Sequence, residues 1–176
     1  MIIEALRIAN FRSFGPDTVE IPFSDSVTTF VGGNGAGKTA AFNALARLFG
    51  TNKAQRTVQK ADFHLAADLE ELESGTQLVI EAIFAFPELE EDDEEDGGAV
   101  AEFWRQMAAS AVGAPLKARI RLQASWVDDG TPDGSVEEDV RWITRLDDQF
   151  DWEECPKVAA ADRAAVQMIY VPAMRN

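Results

Sequence analysis

The sequence lacks several features that whole classes of protein require. Cys155 is the only cysteine among 176 residues, so an internal disulfide is impossible and a reduced, cytoplasmic setting is expected. His64 is the only histidine, and a histidine without a histidine or cysteine partner is seldom a metal ligand. No apolar run reaches the ~18 residues of a membrane span, and the first residues do not resemble a signal peptide. We therefore expect one domain that has no membrane partner.

Basic residues are also scarce, and the formal net charge is −15. Residues 1–60 carry seven Lys and Arg against four Asp and Glu, whereas residues 61–176 carry nine against twenty-seven. Nucleic-acid contacts need a basic surface, so we do not expect this chain to bind DNA by itself.

The most informative motif is GGNGAGKT at residues 32–39, called the phosphate loop below. It fits the pattern Gly-x-x-x-x-Gly-Lys-Thr without a mismatch. The β-branched and aromatic run Val27–Val31 predicts a buried strand before it, and residues 40–49 predict a helix that stops at Gly50. A glycine turn before an ordinary surface helix is the simpler alternative, but strand, loop and helix together favour a phosphate site.

The chemistry of the phosphate loop predicts ATP and Mg²⁺ as ligands. Glycines allow successive N–H groups to point into one concavity, next to the positive end of the following helix. Lys38 is expected on the β- and γ-phosphates, and the Thr39 hydroxyl is expected to ligate Mg²⁺. The predicted nucleotide-binding residues are Gly32, Gly33, Asn34, Gly35, Ala36, Gly37, Lys38, Thr39 and Ala40.

The phosphate loop, together with hydrophobic periodicity, predicts an α/β fold: one partial ATPase domain whose mixed sheet has an antiparallel part and flanking helices. Phe42, Leu45, Leu48 and Phe49 form the predicted apolar stripe of the first helix. The first predicted part, residues 1–50, contains a strand hairpin, the phosphate loop and the first helix. The second, residues 51–75, is irregular with a short acidic helix at 65–73. The third, residues 76–176, contains a long strand at 76–86, an acidic loop at 88–98, a helix at 99–112, a hairpin at 118–146, a helical turn at 162–166 and a final buried strand at 167–171.

An acidic residue at the end of a later apolar strand normally holds Mg²⁺ and polarises water in a P-loop ATPase. No strand after the phosphate loop ends convincingly in this way. Asp128 and Asp129 are the nearest candidates, but the alternating sequence before them suits an exposed hairpin. We interpret the chain as the N-terminal part of a longer protein.

Residues 6–23 (LRIANFRSFGPDTVEIPF) and 27–50 resemble the N-terminal lobe of ABC-type ATPases of DNA metabolism. That group includes RecF-like, SMC-like and OLD-family (overcoming lysogenisation defect) proteins. Two more blocks, Lys60-Ala61-Asp62-Phe63-His64 and Ile169-Tyr170-Val171-Pro172-Ala173-Met174-Arg175, are similar to OLD-family segments and favour that family.

The resemblance to the OLD family implies an ATP-dependent endonuclease whose ATPase dimerises and is joined to a TOPRIM nuclease. This chain lacks a signature motif, a recognisable Walker B acid and the TOPRIM module. It is therefore expected to hold nucleotide phosphates without hydrolysing ATP or cutting DNA alone, and to reach DNA through other parts of the parent protein. A role in phage defence and a role in DNA repair both remain open.

The resemblance also places Arg12, Asp62, Phe63 and His64 beside the nucleotide. A surface arginine that caps a turn is an equally good interpretation of Arg12.

ABC-type sites also use a glutamine where this chain has Ala173–Asn176, which contains none. Arg175 or Asn176 substitutes, or the position lies beyond the chain. Gln123 and Gln167 lie on predicted strands and are poorer candidates.

Three alternatives remain. The same lobe could belong to a RecF-like or SMC-like protein without its own nuclease. A P-loop small-molecule kinase would need an Arg-rich lid and a complete Mg²⁺ site, and neither is visible. A non-catalytic module that uses ATP only as a structural ligand is the third alternative.

Overall fold

The described chain is built on a five-stranded sheet. A computed structural model describes residues 1–24, 26–89, 106–108, 114–169 and 171. The strands are β1 (Ile2–Ala9), β2 (Val19–Pro22), β3 (Gln77–Ala85), β4 (Lys117–Val127) and β5 (Ser135–Ile143). They lie in the order β2-β1-β3-β4-β5, and each neighbouring pair is antiparallel.

The sequence of β4 shows why the sheet has two different faces. Ile120 and Leu122 are buried on one face, whereas Arg119 and Arg121 alternate with them and lie on the other. The hairpin predicted at residues 118–146 is present as β4 and β5. Period-two alternation was enough to predict this hairpin because apolar and charged residues alternate along β4 and along much of β5.

Helix α1 (Lys38–Phe49) follows the phosphate loop and packs against the apolar face of the sheet. It ends at Gly50, as the sequence predicts. Gly50 has an extended backbone that other residues can also adopt, so glycine is favoured there because it has no side chain. A Cβ at Gly50 would lie 2.6 Å from both the Ala46 carbonyl oxygen and the Gln55 Cβ.

The apolar stripe of α1 differs in part from the predicted one. Phe42 is only half buried, and its ring contacts the Phe30 ring with centroids 5.2 Å apart. Alanines occupy the rest of the core face, because small side chains allow the helix to approach the sheet closely. The buried residues of α1 are Ala40, Ala41, Ala44, Leu45, Leu48 and Phe49.

A buried ionic cluster lies on the opposite face of the sheet. The two carboxylate oxygens of Glu81 accept hydrogen bonds from Arg119 Nε at 2.9 Å and Arg121 Nε at 2.6 Å. Arg119 is 1% exposed and also donates to Asp148 at 2.8 Å. The Arg121 guanidinium lies 4.8 Å from the centre of the Phe150 ring. Charge pairing therefore replaces apolar packing on this face.

The region between α1 and β3 differs from its prediction. Helix α2 (Lys53–Arg56) and a 3₁₀ turn at Lys60–Asp62 lie in a segment predicted to be irregular. The acidic helix predicted at 65–73 is wrong, because these residues form turns and bends. Leu65 and Leu69 are 43% and 44% exposed, so no apolar stripe is buried that could stabilise so short a helix.

The buried strand predicted at Val27–Val31 is also wrong. This segment is irregular, and Val27 and Val31 are 74% and 90% exposed. Phe30 is partly covered, by Phe23 and by Phe42 of the first helix. No strand in the described residues lies beside the segment, and β-forming side chains become a strand only with a pairing neighbour.

The final buried strand predicted at 167–171 fails for the same reason. In the described part of it, the main-chain link is an isolated parallel bridge between Met168 and Gly50. Ile169 and Val171 are 79% and 81% exposed. Helix α3 (Ala160–Ala165) precedes this segment, close to the predicted helical turn.

Two predictions fall mostly outside the described residues: the acidic loop at 88–98 and the helix at 99–112. Within these ranges Pro87–Leu89 forms a 3₁₀ turn and Ala108 makes a bridge with Lys117. Among the described helices, none has the length and apolar character that crossing a membrane demands. The division of the chain into one partial domain stays a prediction.

Breaking the ionic cluster should destabilise the fold. Glu81→Gln removes the charge that compensates buried Arg119, and the free energy of unfolding should fall by about 3 kcal/mol in urea titrations. Glu20→Gln is the matched control, because Glu20 pairs with Arg7 but its side chain is 52% exposed. It should change the free energy by less than about 1 kcal/mol. Equal losses in the two variants would contradict the buried-pair interpretation.

Candidate phosphate-binding site

The phosphate loop turns sharply into α1 at two left-handed glycines. Gly35 has φ 82° and Gly37 has φ 87°, values that side chains other than glycine rarely adopt. The helix begins at Lys38 without a side-chain cap and has no acidic residue in its first turn. The first amides of a helix have no partner within it, so those of Lys38, Thr39 and Ala40 are available to an anion.

These amides border a hollow of about 300 Å³, called the phosphate hollow below. Its lining joins one face of the phosphate loop to the turn after β1. A volume of this size suits a compact polar group such as a phosphate chain. The lining residues are Arg12, Ser13, Asn34, Gly35, Ala36, Gly37, Lys38, Thr39 and Ala40.

Gly32 and Gly33 do not line the phosphate hollow, but their carbonyl groups bind the side chain of Lys38, which does. Lys38 Nζ donates to the carbonyl oxygens of Gly32 and Gly33, both at 2.7 Å. The ammonium group therefore lies over the start of the phosphate loop. Of the nine predicted loop residues, seven line the hollow and two support the charge at its edge.

The turn after β1 packs directly against the phosphate loop. A Cβ at Gly37 would lie 3.1 Å from Phe14 Cζ and 3.3 Å from Ser13 Oγ. Asn10 and Arg12 both have positive φ, at 52° and 50°. This compact turn places the Arg12 side chain at the hollow, and its position beside a nucleotide stays a prediction. Ser13 was not predicted, although its place beside Arg12 in the turn is a signal that could have found it.

Asp62 lies behind Arg12 and does not line the hollow. Its side chain is 1% exposed and accepts hydrogen bonds from Arg12 at 2.8 Å and Arg47 at 2.7 Å. Burial raises the pKa of Asp62, but bonds from Arg47, the Gln59 amide and Arg12 outweigh it, so the pKa lies below its ordinary value. Arg47 was not predicted as part of the site; it lies in the last turn of α1.

Phe63 and His64 also lie away from the phosphate hollow. Phe63 is 4% exposed and makes an isolated bridge with Phe11 in the core. His64 Nδ1 lies 2.7 Å from the Arg12 carbonyl oxygen, which can only accept, so Nδ1 carries the proton. The two residues therefore support the turn that carries Arg12.

The weaker sequence candidates lie elsewhere. Asp128 and Asp129 cap the turn between β4 and β5, where they accept hydrogen bonds from Gly130 and Thr131. Gln123 and Gln167 are bonded to Gln77 and Ala164. None of these four candidates lines the phosphate hollow. Arg175 and Asn176 lie outside the described residues.

No cluster of three potential metal ligands occurs in the described chain.

A second hollow of about 450 Å³, called the apolar hollow below, lies on the other side of Lys38 and Thr39. The sequence did not predict it, because it forms between segments that were predicted to be buried strands. Its lining residues are Phe30, Lys38, Thr39, Phe42, Met168, Ile169 and Val171.

The glycine loop, its helix and the sheet define a P-loop ATPase type of α/β domain. The chain matches the AAA ATPase domain family over residues 1–111, more than half of its length, and belongs to that family. The predicted fold class, a P-loop fold of the ABC ATPase type, is confirmed. No curated protein matches the chain significantly.

Solved structures that share this fold include the following three. The first comes from work on ATP-driven dimerization and DNA-stimulated activation of SMC ATPases, with 20% identity, a TM-score of 0.53, and coverage of 94% of this chain and 77% of that chain. An Smc head bound to the C-winged helix domain of ScpA has 20% identity and a TM-score of 0.54, over 94% and 39% of the two chains. A Pyrococcus furiosus Smc head with an extended coiled coil, bound to the C-terminal domain of ScpA, has 20% identity and a TM-score of 0.51, over 93% and 32%. This chain therefore spans less than half of the two ScpA-bound Smc chains, and at this identity the likeness shows the fold alone.

The buried carboxylate of Asp62 should make stability depend on pH. Its pKa is lowered in the folded state, so its contribution is complete above the unfolded value of about 3.9 and disappears as the pH falls through the lower folded value. Urea titrations of wild type and Asp62→Asn between about pH 6 and pH 2 measure this. The stability difference between them should shrink below about pH 4. A constant difference would contradict the assignment.

Proposed function

We propose that this chain binds Mg·ATP in the phosphate hollow and forms the ATP-binding N-terminal part of an ATP-dependent DNA endonuclease of the OLD family. The observation that carries the ATP-binding proposal is the hollow itself. Uncapped amides of α1 border it, and it is flanked by the two cations Lys38 and Arg12. An anion with several charges is the ligand that such a lining suits.

Each group at the hollow has a role in binding. The amides between Gly35 and Ala40 donate to phosphate oxygens, and the first turn of α1 adds the positive end of its dipole. Lys38 and Arg12 neutralise the negative charge of the phosphate chain. Lys38 must exchange its bonds to Gly32 and Gly33 for phosphate oxygens, a replacement of neutral acceptors by charged ones.

Thr39 is the residue that suits Mg²⁺. Its side chain is exposed between the two hollows, and its hydroxyl is a hard oxygen ligand of the kind Mg²⁺ prefers. Mg²⁺ usually keeps several waters and takes few protein ligands next to a nucleotide. Bound Mg·ATP supplies the phosphoanhydride bond whose hydrolysis drives an ATPase.

The link to a DNA endonuclease depends on two short sequence blocks, residues 60–64 and 169–175, that are similar to OLD-family segments. The acidic composition of residues 61–176 agrees with DNA contacts made by other parts of the parent protein and not by this surface. The parent is proposed to act as an ATPase homodimer in which each subunit completes the site of the other.

An SMC-like or RecF-like ATPase without its own nuclease is the second candidate. Its support is the fold likeness to Smc heads, one of which carries an extended coiled coil. The complete reading frame that contains this chain distinguishes the two. A TOPRIM module with a Glu and paired Asp residues supports the OLD family, whereas long apolar heptads that return to a second lobe support an SMC-like protein and overturn the endonuclease.

Replacing Lys38 should strongly weaken ATP binding. Wild-type protein should bind Mg·ATP with a Kd of roughly micromolar to millimolar, and Lys38→Ala should weaken binding at least about tenfold because a charge-assisted contact is lost. Isothermal calorimetry measures both. Lys53→Ala, an exposed lysine of α2 that does not line the hollow, is the matched control and should bind like wild type. Equal affinity for wild type and Lys38→Ala would contradict the proposal that the phosphate hollow binds ATP.

A further inference from the structure

The carboxylate of Asp62 is shared between two arginines from distant parts of the chain. Its Oδ1 accepts from Arg12 Nε at 2.9 Å and from Arg12 Nη2 at 2.8 Å. Its Oδ2 accepts from Arg47 Nε at 2.7 Å and from the Gln59 amide at 3.0 Å. Arg47 Nη2 also donates to Oδ1 at 3.2 Å, so both oxygens of the buried carboxylate have donors within the protein.

The main chain of Arg12 is held by the same segment. The Arg12 amide donates to the Asp62 carbonyl at 2.8 Å, and the Arg12 carbonyl accepts from His64. The His64 amide in turn donates to the Asn10 carbonyl at 2.9 Å. These bonds hold Arg12 at φ 50°, a left-handed backbone that few residues other than glycine adopt without support.

The two arginines differ in what else they can reach. The Arg12 side chain is 36% exposed and lines the phosphate hollow. The Arg47 side chain is 11% exposed, does not line the hollow, and also donates to the Gln55 carbonyl at 2.6 Å. Arg12 Nε and Nη2 are directed to Asp62, so Nη1 is the donor that can reach an anion without breaking these bonds. Arg12 is therefore the partner that faces the hollow, and Arg47 is the permanent partner on the interior side.

We propose that Asp62 is a positioning residue that holds the Arg12 guanidinium at the edge of the phosphate hollow, and that it does not contact the nucleotide itself. This role rests on the proposed function of the hollow as an ATP site. It differs from the role that the family resemblance implied, in which Asp62 lies beside the nucleotide. A carboxylate that touched the phosphate chain would repel it, whereas one placed behind an arginine orients a cation towards it.

A double-mutant cycle on ATP affinity tests the proposal. The proteins are wild type, Arg12→Ala, Asp62→Asn and the double variant, each titrated with Mg·ATP by calorimetry. Each single change should weaken binding by about tenfold. The double variant should bind no more weakly than Arg12→Ala, because Asp62 acts only through Arg12. Independent, multiplying losses would overturn the proposal, and so would unchanged affinity of Asp62→Asn.

Arg47→Lys separates positioning from loss of stability. This change disturbs the permanent partner of Asp62 and leaves Arg12 in place. It should lower the melting temperature but keep ATP affinity within about twofold of wild type, when titrations are made well below melting. If Arg47→Lys weakens ATP binding as much as Asp62→Asn, the network is only structural and the proposal is wrong.

A readout without nucleotide completes the test. In ligand-free protein the Arg12 Nε–H, bonded to a buried carboxylate, should give a slowly exchanging NMR resonance in wild type and a rapidly exchanging one in Asp62→Asn. Rapid exchange in both would overturn the proposal. If wild type shows slow exchange but binds no Mg·ATP, the ATP-binding function fails. If Lys38→Ala abolishes binding while Asp62→Asn does not, only the role of Asp62 fails.

Discussion

One buried carboxylate connects the two sides of the phosphate hollow. Arg12 belongs to the turn that forms one side, and Arg47 belongs to the helix whose first residues form the other. Both are bonded to Asp62, so the relative position of turn and helix depends on this ion cluster. A buried charge is tolerated only when it is fully paired, and loss of a partner leaves the others uncompensated. Asp62 therefore links the turn to the helix on the interior side of the hollow.

The sheet supports this arrangement by using its two faces differently. Its apolar face receives α1, which begins at Lys38, so the start of the helix is fixed in space by core packing at its middle and end. Its other face carries the ion cluster around Glu81 and Arg119. Electrostatic pairing far from the phosphate loop holds β3 and β4 together, and β1 lies beside β3 and leads directly into the turn with Arg12.

Local sequence signals predicted the parts of the fold that depend on local interactions. Alternation predicted the β4–β5 hairpin, the glycine motif predicted the phosphate loop, and Gly50 after a run of helix-forming residues predicted the end of α1. Strand predictions failed at Val27–Val31 and 167–171, because a strand needs a neighbour and sequence patterns do not show whether one is present. In the candidate site, the resemblance found the turn with Arg12. The pairing of Asp62 with Arg47 could not be predicted, since it joins residues whose contact depends on tertiary packing.

The failed strands have a consequence for the phosphate loop. Phe30 from the first segment and Met168, Ile169 and Val171 from the second line the apolar hollow, which shares Lys38 and Thr39 with the phosphate hollow. Water that enters the apolar hollow would screen the charge of Lys38 from one side. Apolar cover there would remove that water, and the attraction between the ammonium group and an anion would rise as the local dielectric constant falls. If the phosphate hollow binds an anion as proposed, the strength of that binding would therefore depend, through Lys38 and Thr39, on the hydration of the neighbouring apolar hollow.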